Sequence, residues 1–171
     1  MTQKSLHWFR NDLRIYDNPS LFEACKFDNV YLIFIYDTIN NSENCIGSAS
    51  SWWLHNSLNS LNKQLNNKLS FFKGDPKEIL KGFVFRNNIN AVFWNRCYEP
   101  WQIKRDKEIK TFFENENIHV ESFNSSLLWE PWNVKKDDGS NYKVFTPFYK
   151  KGCLNAPSPR KPLKKPDNKN F

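Results

Sequence analysis

Leu6-His7-Trp8-Phe9-Arg10-Asn11-Asp12-Leu13-Arg14 decides how the rest of this chain is read. A short apolar run passes without a break into two arginines flanking an aspartate. In a parallel α/β sheet, ligands gather outside the carboxyl ends of the strands, so a cluster placed there would stand on the binding rim. A second reading is local: an Arg-Asp-Arg network that pins the first loop to the domain edge. The stretch alone leaves both open.

Working outward, apolar runs recur at regular intervals, with helical patterns between them, as in repeated βα units. Strands are expected at Leu6–Phe9, Val30–Tyr36, Leu69–Phe72, Ala91–Trp94 and His119–Phe123. These runs are continuous rather than alternating, as strands covered on both faces should be. Helices are expected over Pro19–Lys26, Ser48–Lys68, Pro76–Asn87 and Pro100–Asn117. Leu54, Leu58, Leu61 and Leu65 form one stripe along the second. Pro19, Pro76 and Pro100 each suit a first helical turn, where a missing N–H costs nothing. With right-handed crossovers the fold class is α/β, a three-layer sandwich around a five-stranded, mostly parallel sheet. Asn is frequent throughout, so lone asparagines are discounted here as turn signals.

After Phe123 the pattern changes. Asn133–Lys135 and Tyr142–Phe145, joined through Asp137-Asp138-Gly139-Ser140-Asn141, suggest a β-hairpin. Beyond Lys150, Pro157, Pro159, Pro162 and Pro166 break any element, and basic residues stand between them, as in a linker. The division expected is an α/β domain over residues 1–131 and a hairpin with a basic, Pro-rich linker over 132–171.

Charge follows that division. Residues 1–149 carry 18 Lys and Arg against 17 Asp and Glu, or +1; residues 150–171 carry 7 against 1, or +6, which together make the net +7. The basic tail is read as a solvated linker, with a DNA-binding arm as the alternative. No run approaches the roughly 20 apolar residues of a membrane span, and no secretory leader is recognisable, so a cytoplasmic location is expected. Cys25, Cys45, Cys97 and Cys153 lack zinc-site or disulfide-framework spacing.

The strand ends carry the candidate chemistry: Arg10, Asn11, Asp12 and Arg14, then Asp37, then Asn95-Arg96-Cys97-Tyr98-Glu99. A strand order that reverses beside the first strand would bring these groups to one crevice. Asp37 also suits a turn, and Glu99 a helix N-terminus. Dinucleotide, P-loop and nucleophile-elbow motifs are missing. His7, His55 and His119 show no metal-ligand spacing and are read as structural. Most of the 7 tryptophans are assigned to the core, with the rim-facing member of Trp52-Trp53 as the exception. The chain reads as a binder.

Trp8-Phe9-Arg10-Asn11-Asp12-Leu13-Arg14 with Asp17-Asn18-Pro19, then Trp52-Trp53-Leu54-His55-Asn56-Ser57-Leu58, Gly74-Asp75-Pro76, Trp94-Asn95-Arg96-Cys97-Tyr98-Glu99-Pro100 and Tyr142-Lys143-Val144-Phe145-Thr146-Pro147-Phe148 come in order over residues 5–150. The series resembles the N-terminal domain of the DNA photolyase/cryptochrome family, most of all that of bacterial cyclobutane pyrimidine dimer photolyases. The resemblance implies a Rossmann-like domain that holds a light-harvesting chromophore of the methenyltetrahydrofolate or deazaflavin type. Excitation would pass to a flavin in a helical second domain that repairs DNA. It also implies cofactor-binding roles for Arg10, Asn11, Phe34, Asp37, Ser50, Ser51, Asn95, Cys97 and Glu99. Ser51 stands where relatives commonly have a basic residue, and Trp101-Gln102 where some folate-binding members have an acid and an amide. These departures leave the chromophore type open.

No counterpart of the helical domain is recognised, so FAD is not expected on this chain, and repair activity is not expected of it alone. The partner expected is a separate helical FAD-binding photolyase domain. Contact with DNA is expected to be weak or indirect, and none with membrane. The alternative is a stand-alone nucleotide-binding or protein-interaction module of similar topology.

Overall fold

The computed structural model describes residues 2–39 and 46–167. Strands β1 (Lys4–Phe9), β2 (Asn29–Asp37), β3 (Leu69–Gly74), β4 (Ala91–Asn95) and β5 (His119–Phe123) alternate with helices α1 (Pro19–Ala24), α2 (Ser48–Gln64), α3 (Pro76–Asn87) and α4 (Pro100–Asn115). The strands form one sheet in the order β3-β2-β1-β4-β5, and each pairing is parallel. The order reverses between β1 and β4, which sets Phe9 and Asn95 beside a switch point. Every strand and helix expected in this part of the sequence is present.

The continuous apolar runs are explained by alternation against two cores. Leu6 and Trp8 of β1, Ile33 and Ile35 of β2, and Val92 and Trp94 of β4 face one side, where Leu80 and Val84 of α3 and Ile109 and Phe113 of α4 cover them. Phe9, Leu32, Phe34 and Phe93 face the other side, under Leu21 of α1, Leu61 of α2 and Leu65 at the α2 C-cap. Both faces are dry, so both strand registers must be apolar. Leu54 and Leu58 complete the α2 stripe but are only partly buried. The end of α2 nearest the switch point thus stands away from the sheet.

Pro19, Pro76 and Pro100 each open a helix as expected. The helix ends differ from expectation, because asparagine does act as a stop. α2 ends at Gln64, not Lys68, since Asn66 and Asn67 adopt left-handed φ values of 54° and 59°. Asn88 at φ 53° caps α3, and Asn117 at φ 58° follows α4. The amide side chain tolerates this region better than most residues, and discounting asparagine cost the helix boundaries.

The described chain divides into two compact units: the sheet with its helices and the Leu163 segment, and Ser126–Pro162. The hairpin expected in the second does not form. Gly139, at φ 78°, closes a turn in which its N–H donates to Lys136 O and Lys136 N–H to Ser140 O, but no strand ladder extends from it. A short helical turn at Phe145–Pro147 runs instead into a π-helical turn at Phe148–Cys153. The flanks pack on that turn: a Cβ on Gly152 would lie 2.7 Å from Val134 Cγ1 and 3.0 Å from Tyr142 Cε2. Only glycine permits so close an approach.

Candidate functional site

Two polar clusters occupy the switch point. In the first, Asn18 is the N-cap of α1 and accepts from Leu21 N–H at 3.1 Å. Asn95, at the end of β4, donates through Nδ2 to Asn18 Oδ1 at 2.7 Å and also to Asp12 Oδ2, and its Oδ1 accepts from Ser20 N–H at 3.2 Å. Asp12 Oδ1 accepts from Arg10 N–H at 3.0 Å. Ser20 Oγ donates to Asn18 Oδ1 at 3.3 Å and lies 2.9 Å from His7 Nδ1. With the Ser20 proton on Asn18, His7 Nδ1 donates to Ser20 Oγ and Nε2 keeps a lone pair that has no partner among the described residues. Burial holds the His7 pKa down at about 4, against a raising effect from Asp12 and a lowering one from Arg10, so the ring is neutral at pH 7.

The second cluster is charged. Arg10 Nη1 pairs with Asp106 Oδ2. Arg105 forks onto Asp106 Oδ1 through Nε at 3.1 Å and Nη2 at 2.9 Å, and reaches Asp37 Oδ2 through Nη1 at 3.0 Å. Both guanidinium groups lie over the Trp8 ring, Arg10 at 5.0 Å and Arg105 at 4.9 Å from its centroid, and Arg105 is 5.1 Å from that of Trp101. Arg10 and Arg105 are each only 7% exposed. Buried ion pairs gain little net energy unless the remaining donors are satisfied. Arg10 Nε and Nη2 are not: neither has a hydrogen-bond partner among the described residues.

Above this floor lies a cavity of about 560 Å³, within the range of small-molecule sites. Arg10, Asn11, Arg14 and Asp37 line it from the strand ends, and Trp101, Gln102 and Arg105 from α4. From α2 come Ser50, Trp53, Leu54 and Ser57, one face at spacings of three, one and three. α2 has neither a side-chain N-cap bond nor an acid in its first turn, whereas α4 opens on an acid, Glu99, at its N-cap. The arrangement offers flat aromatic walls, unpaired cationic donors and no nucleophile beside a base. It can hold and orient a planar ligand bearing an acceptor or anionic group.

Of the residues singled out in the sequence, Arg10, Asn11, Phe34, Asp37 and Ser50 meet at this cavity. Ser51 faces a neighbouring groove of about 290 Å³ lined by Phe34, Tyr36, Leu54 and Phe71. Asn95 is buried in the first cluster, Cys97 is half-buried and Glu99 is exposed at the start of α4. Burial raises the Cys97 thiol to about 11 and that of Cys25 to about 12, which leaves both as unreactive thiols at neutral pH. The local Arg-Asp-Arg network is replaced by other partners. Arg10 pairs across the sheet edge with Asp106, Arg14 donates to the carbonyls of Asp17 and Ser125, and Asp12 takes amides.

Arg105 and Asp106 were not found from the sequence, although a signal was present. Gln102, Arg105, Ile109 and Phe113 are the buried stripe of α4, at spacings of three, four and four. A charged residue on an apolar stripe marks a buried ion pair. Among the described residues, no group of three or more His, Cys, Asp or Glu side chains could hold a metal, and no helix is long and apolar enough to cross a membrane.

A family model described as DNA photolyase matches residues 5–167. The chain is 34% identical over 147 residues to a deoxyribodipyrimidine photo-lyase of Agrobacterium fabrum, covering 84% of this chain and 30% of that protein. It is 33% identical over 167 residues to cryptochrome-1 of Arabidopsis thaliana, covering 95% and 24% respectively. Among solved structures it is similar to a class III photolyase from Agrobacterium tumefaciens, with a TM-score of 0.88 and 32% identity over 97% of this chain and 34% of the other. It is also similar to an archaeal photolyase from Sulfolobus tokodaii with two FAD molecules and an implied novel light-harvesting cofactor, with a TM-score of 0.78, 27% identity, and coverage of 95% and 37%. The chain thus spans about a third of the length of these relatives, or less.

Proposed function

Because this chain belongs to the DNA photolyase family, with the match running over residues 5–167, we propose that its switch-point cavity is a light-harvesting chromophore site. The observation that supports this most directly is the Arg10 guanidinium, buried beside the cavity with two unpartnered nitrogens. A buried donor without an acceptor costs about 1–3 kcal/mol. A ligand acceptor reaching Nε or Nη2 would recover that energy.

The residues fit a planar, conjugated chromophore. Trp53 and Trp101 supply flat walls, Arg10, Arg105, Asn11 and Gln102 supply polar anchors, and the cavity of about 560 Å³ suits a single ring system with part of its tail. Bound there, a flavin, deazaflavin or methenyltetrahydrofolate would absorb light, and the chain's own residues would fix its orientation and exclude water. No bond making by the protein is needed, which agrees with a site of binding groups.

In this reading the chain does not repair DNA by itself. The repair chemistry belongs with a helical, FAD-binding domain as its partner, with DNA contact weak or indirect and no membrane role. The chain alone is then expected to bind any chromophore much more weakly than a full-length relative would.

Titration of the purified chain with flavin mononucleotide, a deazaflavin and methenyltetrahydrofolate, followed by absorbance and fluorescence anisotropy, tests the site. The expected result is a shifted band for one of them that is lost in Arg10→Met. Binding of none, or equal displacement by adenine nucleotides, would overturn the reading in favour of a nucleotide-binding module.

A further inference from the structure

We propose that Arg10 and Arg105 keep Trp8 from quenching whatever chromophore the cavity holds, by making the indole hard to oxidise. The inference rests on the chromophore reading above and goes beyond it, because it assigns the floor of the cavity a task separate from affinity. An aromatic wall stabilises a planar ring but brings an electron donor close to it. On excitation, one electron can leave an indole for the photoexcited ring, which oxidises the indole to a radical cation and reduces the ring by one electron. The electron's return then dissipates the energy as heat. A light-harvesting site needs walls of indole and must also prevent this loss.

Trp8 is built for that requirement. It lines the cavity, is 1% exposed, and has the guanidinium of Arg10 at 5.0 Å and that of Arg105 at 4.9 Å from its ring centroid. A cation over an aromatic face is attracted by the neutral ring and repelled once the ring is positive. Asp37 and Asp106 balance the guanidinium charge formally, but they bind the guanidinium edges while the cations hold the ring face. A second device concerns the proton. An indole radical cation is relieved by losing its N–H proton to an acceptor, and Trp8 Nε1 is buried without one. Trp94 is an internal control: it is equally buried, at 1%, and its ring centroid lies 6.0 Å from that of Trp8, yet no cation lies over it among the described residues.

The test is a fluorescence-lifetime cycle on the full chain saturated with flavin mononucleotide. Trp8→Phe alone is expected not to lengthen the lifetime. Arg105→Gln combined with Asp37→Asn, which removes the cation together with the Asp37 carboxylate and leaves Asp106 its pairing with Arg10, is expected to shorten the lifetime about tenfold. Adding Trp8→Phe should then restore it, and Arg105→Lys should retain most of the protection. A lifetime lengthened by Trp8→Phe alone, or unaffected by loss of Arg105, overturns the proposal.

A second arm needs no bound chromophore and separates failure of this proposal from failure of the chromophore reading. The chain is irradiated with ruthenium tris-bipyridine and persulfate, and oxidised Trp8 and Trp94 peptides are counted by mass spectrometry. Trp94 should be oxidised in preference to Trp8, and the Trp8:Trp94 ratio should rise about tenfold in the Arg105→Gln/Asp37→Asn chain. An unchanged ratio overturns the proposal whether or not flavin mononucleotide binds.

Discussion

The His7–Asn18–Asn95 cluster and the Arg10–Asp106–Arg105–Asp37 cluster lie at the same sheet edge, both buried and both polar, yet they differ in what they leave unpaired. In the first, Asp12, Asn18, Ser20 and Asn95 bond to one another or to backbone, and only a histidine lone pair has no partner. In the second, two N–H-bearing nitrogens of a buried cation have none. A lone pair on a neutral ring is cheap to leave unmet and a cationic donor is not. The first cluster therefore reads as a clasp joining β1, α1 and β4, and the second as a floor waiting for a ligand. Substitutions in the clasp should lower stability, and those in the floor should lower binding.

The largest effect should come from Asp12→Ala, which strands Arg10 N–H and takes one of two acceptors from the amide nitrogens of Asn95 and of Asn18. We expect a loss of about 4 kcal/mol of unfolding free energy in urea, as several buried donors lose an acceptor together. A loss below 1 kcal/mol would break the division, because the clasp would then hold nothing.

Acid should attack the clasp next. His7 is held at about 4 when folded against 6.5 when free. Between those values the unfolded chain binds more protons than the folded one, so stability falls as pH drops from about 6.5 to about 4 and is unaffected by this group above that window. The loss is on the order of 3 kcal/mol at its full extent. Comparing urea midpoints of the native chain and His7→Gln across pH 4–7 checks it: the slope should flatten in the variant.

Arg10→Met should act on the floor instead. It keeps the packing on Trp8 while removing the free donors, and should weaken chromophore binding about tenfold, or ~1.4 kcal/mol, with a smaller effect on stability. Equal or greater loss of stability would move Arg10 to the clasp.

The smallest effect belongs to the margin of the clasp. Asp17, at φ 47°, exchanges hydrogen bonds with Leu163, its N–H donating to Leu163 O and its Oδ1 accepting from Leu163 N–H, each at 3.1 Å. Asp17→Ala should release the Leu163 segment at a cost of about 1 kcal/mol. Faster hydrogen exchange at the Leu163 amide, with chromophore affinity unchanged, would sharpen the boundary between the two clusters.

The same residues show how far the sequence could be read. Strand and helix positions follow from apolar runs, the leucine stripe and helix-opening prolines, because both faces of each central strand must be apolar and proline tolerates the first turn. Arg10, Asn11, Asp37 and Ser50 could be proposed as neighbours because a doubly wound sheet sends its strand ends to one rim. The hairpin failed because Gly139 makes a turn whatever follows, whereas pairing depends on what the flanks can pack against. Here that is Gly152.

By itself the sequence determined the order of βα units and the edge at which polar groups collect, since both depend on residue periodicity and chain connectivity. Only the tertiary structure decided who pairs with whom. Arg10 meets Asp106, 96 residues away in the chain, and Arg105 meets Asp37, 68 residues away. Ion pairing is set by distance in space and by the loss of competing water, and no local pattern carries either quantity. That choice of partners leaves Asp12 to the clasp, Arg10 with free donors and Trp8 with two cations over its ring.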